Sequence, residues 1–142
     1  MPFTYEYPRP AVTTDCIVIR YNPDAEILLI KRKFEPFQDC WALPGGFIEM
    51  DETLEECAKR ELFEETSISN IELTQFYTAS KVDRDPRGRT ISTIFYGIAH
   101  KNTIVKANDD AKELAWFSIK NLPDLAFDHQ MIIEKYKELI IY

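Results

Sequence analysis

Clustered apolar positions predict several short strands in the first part of the chain. β-Branched and aliphatic residues dominate residues 13–19 and 27–30, and the turn sequence at residues 21–24 joins these two strands into a hairpin. A third short strand is expected before Pro44-Gly45-Gly46, where two glycines after a proline permit backbone angles that other residues avoid.

Further strands and a terminal helix are predicted in the second part of the chain. Residues 72–80 and 90–99 form strands joined through a strong turn sequence at residues 85–88, and a short strand follows at residues 113–117. From Asp128, which can cap a helix, to about residue 141, apolar side chains recur at helical spacing. These side chains are Ile132, Ile133, Tyr136, Leu139 and Ile140.

A helix is predicted between these two groups of strands, from Thr53 to about Thr66. Thr53 and Glu56 match a capping box, in which the hydroxyl and the carboxylate satisfy backbone amides at the start of the helix. Strands on both sides of one helix, with a second helix at the end and no βαβ repeat, predict an α/β fold of packed layers.

The acidic residues of this helix fall on its apolar side. At roughly 100° per residue, with Leu54 at zero, the apolar stripe is centred near 15°. Glu65 lies at about 20° and Glu61 at about 340°, within the stripe, and Glu64 at about 280° borders it. The carboxylates are therefore expected to point inward or along a cleft. The stripe itself consists of Leu54, Cys57, Ala58 and Leu62.

Carboxylates on a core-facing stripe need to be neutralised. An unpaired carboxylate moved out of water costs several kcal/mol, against a total stability of about 5–15 kcal/mol for a domain. Arg60, at roughly 240°, is turned away from Glu65 and is expected to be poorly placed to neutralise Glu61 and Glu65. Oxygen ligands at positions i, i+3 and i+4 suit Mg²⁺ or Mn²⁺. An ordinary solvated face with paired charges remains the alternative.

Composition narrows the class of protein. With 142 residues, of which 45% are apolar, residues 1–142 are expected to form one domain. The net charge of −7 and the lack of a basic cluster longer than residues 31–33 argue against a nucleic acid polymer as partner. Short apolar runs and the absence of a visible signal segment predict a protein without a membrane partner. The three cysteines form no close-spaced metal pair, which favours reduced thiols and a cytoplasmic location.

The region around this helix resembles the signature of the Nudix hydrolases. Gly46 is followed after five residues by Glu52, and after seven more by residues 60–68, with the sequence RELFEETSI. This matches G-x5-E-x7-R-E-U-x-E-E-x-G-U, with U aliphatic, at every specified position except the late glycine, which is Ser67. A non-glycine residue in the left-handed conformation expected there costs roughly 1 kcal/mol but removes no ligand.

The resemblance implies a fold and a chemistry. Nudix hydrolases cleave nucleoside diphosphates linked to another group, on an α/β/α sandwich with a mixed β-sheet. By resemblance, Arg60 orients the glutamates, and Arg60, Glu61 and Glu64 take catalytic roles. The metals bridge anionic phosphates and lower the pKa of the attacking water. The implied ligands for Mg²⁺ or Mn²⁺ are Gly46, Glu52, Glu61, Glu64 and Glu65.

Segments outside the signature resemble the small ADP-ribose pyrophosphatases of this family. The segments are residues 41–47, 84–89, 109–113 followed by Trp116-Phe117, and 125–129. They imply a small-molecule nucleotide substrate, ADP-ribose, split into AMP and ribose 5-phosphate. Forked guanidinium groups suit phosphate contacts, although an exposed turn or strand accounts for the same residues. The candidate substrate-binding residues are Arg32, Arg84, Arg87 and Arg89.

Other roles stay open. The general base is Glu64 or a loop residue such as Asp109, Asp110 or Glu113. Asp128 is expected to cap the last helix, and His100 and His129 are expected to be structural or exposed. One of four aromatic residues could stack on adenine, although most such rings belong to the core. These are Phe34, Phe37, Tyr77 and Tyr96.

Two alternative functions share the same signature. One is a nucleoside triphosphate pyrophosphatase that removes oxidised or unusual nucleotides, since only the pocket would differ. The other is a non-catalytic ADP-ribose sensor, because relatives join a Nudix domain to a DNA-binding winged helix. The intact glutamates and the chain end at Tyr142 favour an enzyme. The segment before Val12 and the edges of the sandwich make a homodimer plausible.

Overall fold

The fold is a mixed β-sheet with two helices. The computed structural model describes residues 2–108 and 111–141. The predicted order of elements is confirmed, with one strand more than expected, β4, at the two glycines. The elements are β1 (Ala11–Tyr21), β2 (Ala25–Arg32), β3 (Trp41–Ala42), β4 (Gly45–Phe47), α1 (Leu54–Thr66), β5 (Thr74–Ala79), β6 (Thr90–Ile98), β7 (Ala111–Ser118) and α2 (His129–Ile141).

Strand β1 lies at the centre of the sheet. The strand order is β3-β2-β1-β6-β5, with β4 paired to β1 and β7 paired to β2. One edge of β1 runs parallel to β6 over its whole paired length. The other edge is shared, because Thr13 pairs with Phe47 of β4 whereas Ile19 pairs with Ile27 of β2. The sheet therefore divides along β1, between β4 and β2.

The two helices cover opposite faces of the sheet. Successive side chains of a strand point to opposite faces, and on β1 Cys16 and Val18 pack with Ala58 and Leu62 of α1. The alternating Ile17 belongs to a second core cluster that also contains Ile132, Ile133 and Tyr136 of α2. This arrangement is the predicted α/β/α sandwich. Within the described residues, neither helix is long and apolar enough to cross a membrane.

Both ends of α1 are capped as predicted. The Thr53 hydroxyl accepts a hydrogen bond from the Glu56 amide at 3.1 Å, and the Glu56 carboxylate accepts one from the Thr53 amide at 2.8 Å. Ser67 takes the left-handed conformation, with φ of 69°. Its hydroxyl donates to the Lys106 carbonyl and accepts from the Asn108 amide. These hydrogen bonds offset part of the cost of placing a side chain in this conformation.

The prediction that Gly45 and Gly46 serve unusual backbone angles was wrong. Gly88 is the glycine with a positive φ in the described part of the chain, and Gly45 and Gly46 lie in strand β4. Glycine is required there because neighbouring groups approach closely. A Cβ on Gly45 would collide with the Thr14 carbonyl oxygen, and one on Gly46 would lie 2.5 Å from Glu61 Oε2.

Candidate active site

A cleft of about 790 Å³ opens where the sheet divides. Its walls come from β1, β2 and β4, from the inner face of α1, from the turn before β6 and from the start of α2. Eight of the sequence-predicted site residues line it. These are Arg32, Gly46, Arg60, Glu61, Glu64, Glu65, Arg84 and Arg87.

Glu61, Glu64 and Glu65 of α1 face this cleft, as the helical angles predicted. Glu65 is 5% exposed and accepts a hydrogen bond from the Gly45 amide at 2.7 Å. The Glu61 side chain is 16% exposed and that of Glu64 is 40% exposed. The graded exposure follows the angular order, since Glu64 was placed at the border of the stripe. The alternative of an ordinary solvated face is therefore wrong for Glu61 and Glu65.

Arg60 is the centre of a charge network that includes Glu61, so the prediction that it is poorly placed to neutralise the helix carboxylates was wrong for Glu61. Its guanidinium group lies 2.8 Å from Glu61, 3.1 Å from Glu64 and 2.6 Å from Glu52. Helical angles place the Cβ atom, whereas the long arginine side chain carries its charge around the helix to the cleft. Arg60 also donates to the Phe47 carbonyl at 3.1 Å, which ties α1 to β4.

These contacts shift the ionisation of the acidic groups. Hydrogen bonds from Arg60 lower the pKa of Glu52 to about 2. Burial raises the pKa of Glu61 above its ordinary value of 4.5, although Arg60 opposes that shift. The Glu52 carboxylate therefore stays ionised, while the buried Glu61 carboxylate gains more from any further positive charge placed beside it.

The donor atoms fit a hard divalent cation. The carboxylates of Glu61, Glu64 and Glu65 and the carbonyl of Gly46 supply oxygen alone, which Mg²⁺ and Mn²⁺ prefer. The missing side chain of Gly46 leaves a cradle into which Glu61 fits. Across residues 2–108 and 111–141, no three acidic, histidine or cysteine side chains already converge into a metal-binding group. Arg60 binds Glu61 and Glu64, and Gly45 binds Glu65.

Glu52 differs from the other predicted ligands. Its two carboxylate oxygens accept hydrogen bonds from Arg60 at 2.6 Å and 2.9 Å, and one also accepts from the Glu49 amide. The residues that line the cleft include Glu49 but not Glu52. Glu52 thus joins the acidic cluster through Arg60.

Two of the four predicted substrate-binding arginines are held by acidic partners. Arg84 is 7% exposed and makes a bidentate pair with Asp128 at 2.9 Å and 2.7 Å. This pair engages the Asp128 carboxylate that was expected to cap α2. Arg87 is paired with Asp85 at 2.8 Å, and hydrogen bonds from Arg87, together with its charge, lower the pKa of Asp85 against the opposing effect of burial.

The other two arginines differ from each other. Arg32 donates to the Pro36 carbonyl at 2.7 Å and lies over the ring of Phe127, 5.0 Å from its centroid. It remains in the wall of the cleft. Arg89 is exposed, donates to the Ser80 carbonyl and is not among the described residues that line the cleft.

The structure shows which of the candidate general bases and candidate adenine-stacking rings lie at the cleft and which do not. Glu113 lies on β7 with a half-exposed side chain, outside the cleft lining, and Asp109 and Asp110 lie outside the described residues. Tyr77 and Tyr96 pack against the core beneath α2. Phe34 lines the cleft, and Phe37 packs against Phe127 at 4.8 Å.

Sequence reasoning missed two polar residues at the floor of the cleft. Asp15 is 8% exposed and accepts a hydrogen bond from Ser92 at 2.6 Å. His129 is 3% exposed, and its Nδ1 accepts a hydrogen bond from the Leu43 amide at 3.0 Å. A signal for Asp15 was present, because it is the one charged residue in the otherwise uncharged strand segment 11–19. His129 was expected to be structural or exposed, and it is buried.

Comparisons with known proteins agree with this geometry. The sequence profile of the NUDIX domain matches residues 11–136. The chain is 48% identical over 130 residues to an ADP-ribose pyrophosphatase of Methanocaldococcus jannaschii, covering 92% of this chain and 75% of that protein.

Two solved structures show the same fold. The NUDIX domain of Shewanella oneidensis NrtR, crystallised with ADP ribose, superposes with a TM-score of 0.88 at 27% identity, covering 94% of this chain and 90% of that one. A bifunctional NMN adenylyltransferase/ADP ribose pyrophosphatase from Francisella tularensis, complexed with AMP and a manganese ion, gives a TM-score of 0.80 at 36% identity. That match covers 94% of this chain and 43% of the bifunctional chain.

Proposed function

Because this chain belongs to the Nudix hydrolase family, we propose that it hydrolyses the diphosphate bond of ADP-ribose to AMP and ribose 5-phosphate. The observation that carries the proposal is the burial of Glu65 and Glu61 against a large cleft, with the Gly46 backbone beside them. Carboxylates in this position have a role in binding a cation, since a structural role alone would not require them.

The proposed metal site consists of the Gly46 carbonyl and the carboxylates of Glu61, Glu64 and Glu65. A divalent cation, Mg²⁺ or Mn²⁺, supplies positive charge to the diphosphate and lowers the pKa of a water molecule when it is bound. Glu52 holds Arg60 rather than the metal, because both of its oxygens accept from that guanidinium group. Arg60 in turn fixes Glu61 and Glu64 from behind.

Arginines on the opposite wall are proposed to bind the substrate. Arg87 lies 5.0 Å from the Phe47 ring centroid and 5.4 Å from that of Phe127, and its guanidinium group can meet an anionic phosphate at the mouth of the cleft. Arg32, 5.0 Å from the centroid of the same Phe127 ring, supplies a second cationic group. Arg84 contributes charge from the floor, where Asp128 fixes its orientation. Arg89 has no part in this proposal.

Glu64 is the proposed general base. It is the most exposed of the three glutamates of α1 that line the cleft, so its carboxylate can exchange a proton with water. Glu113 is disfavoured by its place outside the cleft lining. The hydrogen bond that Glu64 accepts from Arg60, at 3.1 Å, is the longest of the hydrogen bonds that this arginine donates to glutamates and the most easily broken.

A substrate panel tests the proposal. The full chain is incubated with Mg²⁺ or with Mn²⁺ and with ADP-ribose, ADP-glucose, NADH or oxidised dGTP, and the products are identified by mass spectrometry. We expect AMP and ribose 5-phosphate from ADP-ribose as the preferred reaction. Preferred release of a nucleoside monophosphate from oxidised dGTP would support the triphosphate alternative. Tight binding of ADP-ribose without cleavage in either metal would support the sensor alternative.

Two further properties are part of the proposal. We propose a cytoplasmic location, supported by the three free thiols of Cys16, Cys40 and Cys57. We also propose a homodimer, supported by exposed aromatic side chains in the N-terminal segment, where Phe3 is 72% and Tyr7 73% exposed. Size-exclusion chromatography with light scattering measures the oligomeric state, and a monomeric mass would contradict the dimer.

A further inference from the structure

The floor of the cleft holds an acceptor and a donor that the proposed reaction does not use. Asp15 and His129 are both more than nine-tenths buried, and both line the cleft. They come from distant parts of the chain, β1 and the first residue of α2. Burying a carboxylate and an imidazole side by side is costly unless each is satisfied by a partner.

The carboxylate of Asp15 is held in place on one side. Its Oδ2 accepts a hydrogen bond from the hydroxyl of Ser92, on β6, at 2.6 Å. Its Oδ1 lies so close to Gly45 that a Cβ there would collide with it. The hydrogen-bonded carboxylate of Asp128, with smaller contributions from the charges of Asp15 and Asp85, outweighs the effect of burial and raises the pKa of Arg84. The carboxylate is therefore fixed and accompanied by a positive charge.

The tautomer of His129 follows from its partner. Nδ1 accepts a hydrogen bond from the Leu43 amide at 3.0 Å, so in the neutral imidazole the proton lies on Nε2. Burial lowers the pKa of His129 below its ordinary value of 6.5, which keeps the ring neutral at pH 7. Such a ring can donate from Nε2 but cannot act as a base there.

The donor and the acceptor face each other across a short gap. Nε2 of His129 lies 3.8 Å from Oδ2 of Asp15, which is too far for a direct hydrogen bond. An oxygen in the cleft, beside the line that joins these two atoms, can lie within hydrogen-bond distance of both, accepting from Nε2 and donating to Oδ2. A hydroxyl group does both, whereas an ionised phosphate oxygen only accepts and is repelled by the carboxylate.

We propose that Asp15 and His129 form a hydroxyl-binding subsite that selects substrates carrying a sugar hydroxyl at the floor of the cleft. The inference rests on the proposed function, and it deepens it by naming residues that determine specificity. ADP-ribose offers this chemistry twice, in the ribose of its adenosine and in its terminal ribose. The subsite distinguishes a hydroxylated sugar from an analogue that lacks the hydroxyl, because the buried groups would then be left unpaired.

Two matched variants separate this role from a structural one. His129→Asn keeps an acceptor near the position of Nδ1 for the Leu43 amide but removes the donor in the cleft. His129→Gln keeps an amide donor near the position of Nε2 but removes the acceptor for Leu43. Asp15→Asn keeps the size of the side chain while exchanging an acceptor for a donor. Thermal unfolding establishes that each variant is folded before it is assayed.

The experiment measures kcat/KM for ADP-ribose and for two analogues. One analogue lacks the 2-hydroxyl or 3-hydroxyl of the adenosine ribose, and the other lacks the 2-hydroxyl or 3-hydroxyl of the terminal ribose. For the analogue lacking the contacted hydroxyl, we expect kcat/KM of the wild type to be lower than for ADP-ribose by on the order of tenfold to a hundredfold. For ADP-ribose, kcat/KM of His129→Asn and of Asp15→Asn falls by a similar factor, and it falls little further when the analogue replaces ADP-ribose. His129→Gln still prefers ADP-ribose to the analogue. The analogue that shows the coupling identifies which ribose occupies the floor.

Equal losses on all substrates, or discrimination kept by His129→Asn and lost by His129→Gln, would overturn the subsite. Failure of the proposed function is a separate result, namely no cleavage of ADP-ribose by the wild type. In that case calorimetry with intact ADP-ribose and the same analogues replaces kcat/KM. The same ranking of affinities would uphold the subsite, and equal affinities for all ligands would reject it.

Discussion

The carboxylate of Glu65 accepts a hydrogen bond from the backbone amide of Gly45 at 2.7 Å, which fixes α1 to the strand that forms one lip of the cleft. The side chain reaches this amide because Gly45 and Gly46 lie directly beneath the helix. A carboxylate held in this way presents its second oxygen in a defined direction. The contact orients a candidate metal ligand through the backbone, so the orientation does not depend on a mobile side chain.

Replacing Glu65 by glutamine is expected to abolish most turnover while preserving the fold. The amide oxygen of glutamine can still accept from Gly45, but the negative charge needed for a divalent cation is lost. We expect kcat to fall by at least about a hundredfold, since mutation of a residue that only hydrogen-bonds to a metal ligand already lowers metal affinity or activity by about 10- to 100-fold. Release of AMP from ADP-ribose measures the effect. Glu55→Gln, at an exposed position of the same helix, is the control, and equal losses in both variants would contradict a ligand role for Glu65.

Acid is expected to weaken the fold through Glu52. Its pKa is about 2 in the folded protein, below the ordinary value of 4.5, so the unfolded chain binds this proton more readily. The contribution of Glu52 to the free energy of unfolding is complete above pH 4.5 and is lost as the pH falls through 2. Urea titrations at pH 7, 4.5 and 3 measure it. Glu52→Gln should be less stable at pH 7 and less sensitive to pH in this range, and an unchanged pH dependence would contradict the Arg60 pairing.

Ser67 is expected to respond differently to glycine and to alanine. Ser67→Gly removes the strain of a φ of 69°, worth up to about 1 kcal/mol, but also loses the hydroxyl contacts, so its net effect is small. Ser67→Ala keeps the strain and loses the same contacts, and should lower the free energy of unfolding by about 0.5–1.5 kcal/mol. Thermal unfolding compares the two variants. A more stable alanine variant would contradict the left-handed cap.

The cysteines are expected to differ in their reaction with alkylating reagents. Burial raises the pKa of the Cys57 thiol to about 11, and it raises that of Cys16 well above its ordinary value. Since the thiolate is the reactive form, both should resist iodoacetamide at pH 8, and the partly exposed Cys40 should react first. Mass spectrometry counts the modified thiols in native protein and in urea. Early modification of Cys57 would contradict its burial.

The sequence was most informative where a local pattern determines a local geometry. Thr53 and Glu56 predicted the start of α1, and the position of Ser67 predicted a left-handed end. The angular spacing of Glu61 and Glu65 predicted which way their carboxylates point, because each angle depends only on the helix that carries it. The succession of strands along the chain, though not their order in the sheet, followed from apolar runs and turn residues in the same way.

The sequence was least informative where contacts join distant segments. The hydrogen bond from Arg60 to Glu52 depends on the path of the loop before α1. Helical angles describe only the residues of α1 and do not predict that path. The pairing of Arg84 with Asp128, 44 residues away, has no local signal in the sequence. Arg84 was therefore predicted to bind a phosphate of the substrate, without its acidic partner being foreseen. The need for glycine at Gly46 arises from the side chain of Glu61 and not from the backbone angles of Gly46 itself.

The parallel pairing of β1 with β6 has a consequence for synthesis of the protein. β1 is translated before β6, so its neighbour across that edge is made only when residues 90–98 have been translated. Until then Asp15 lacks the hydroxyl of Ser92, and the central strand is open to wrong partners. Nascent chains stalled before residue 90 should therefore depend on chaperones, and the floor of the cleft should form only after residues 90–98 have been translated.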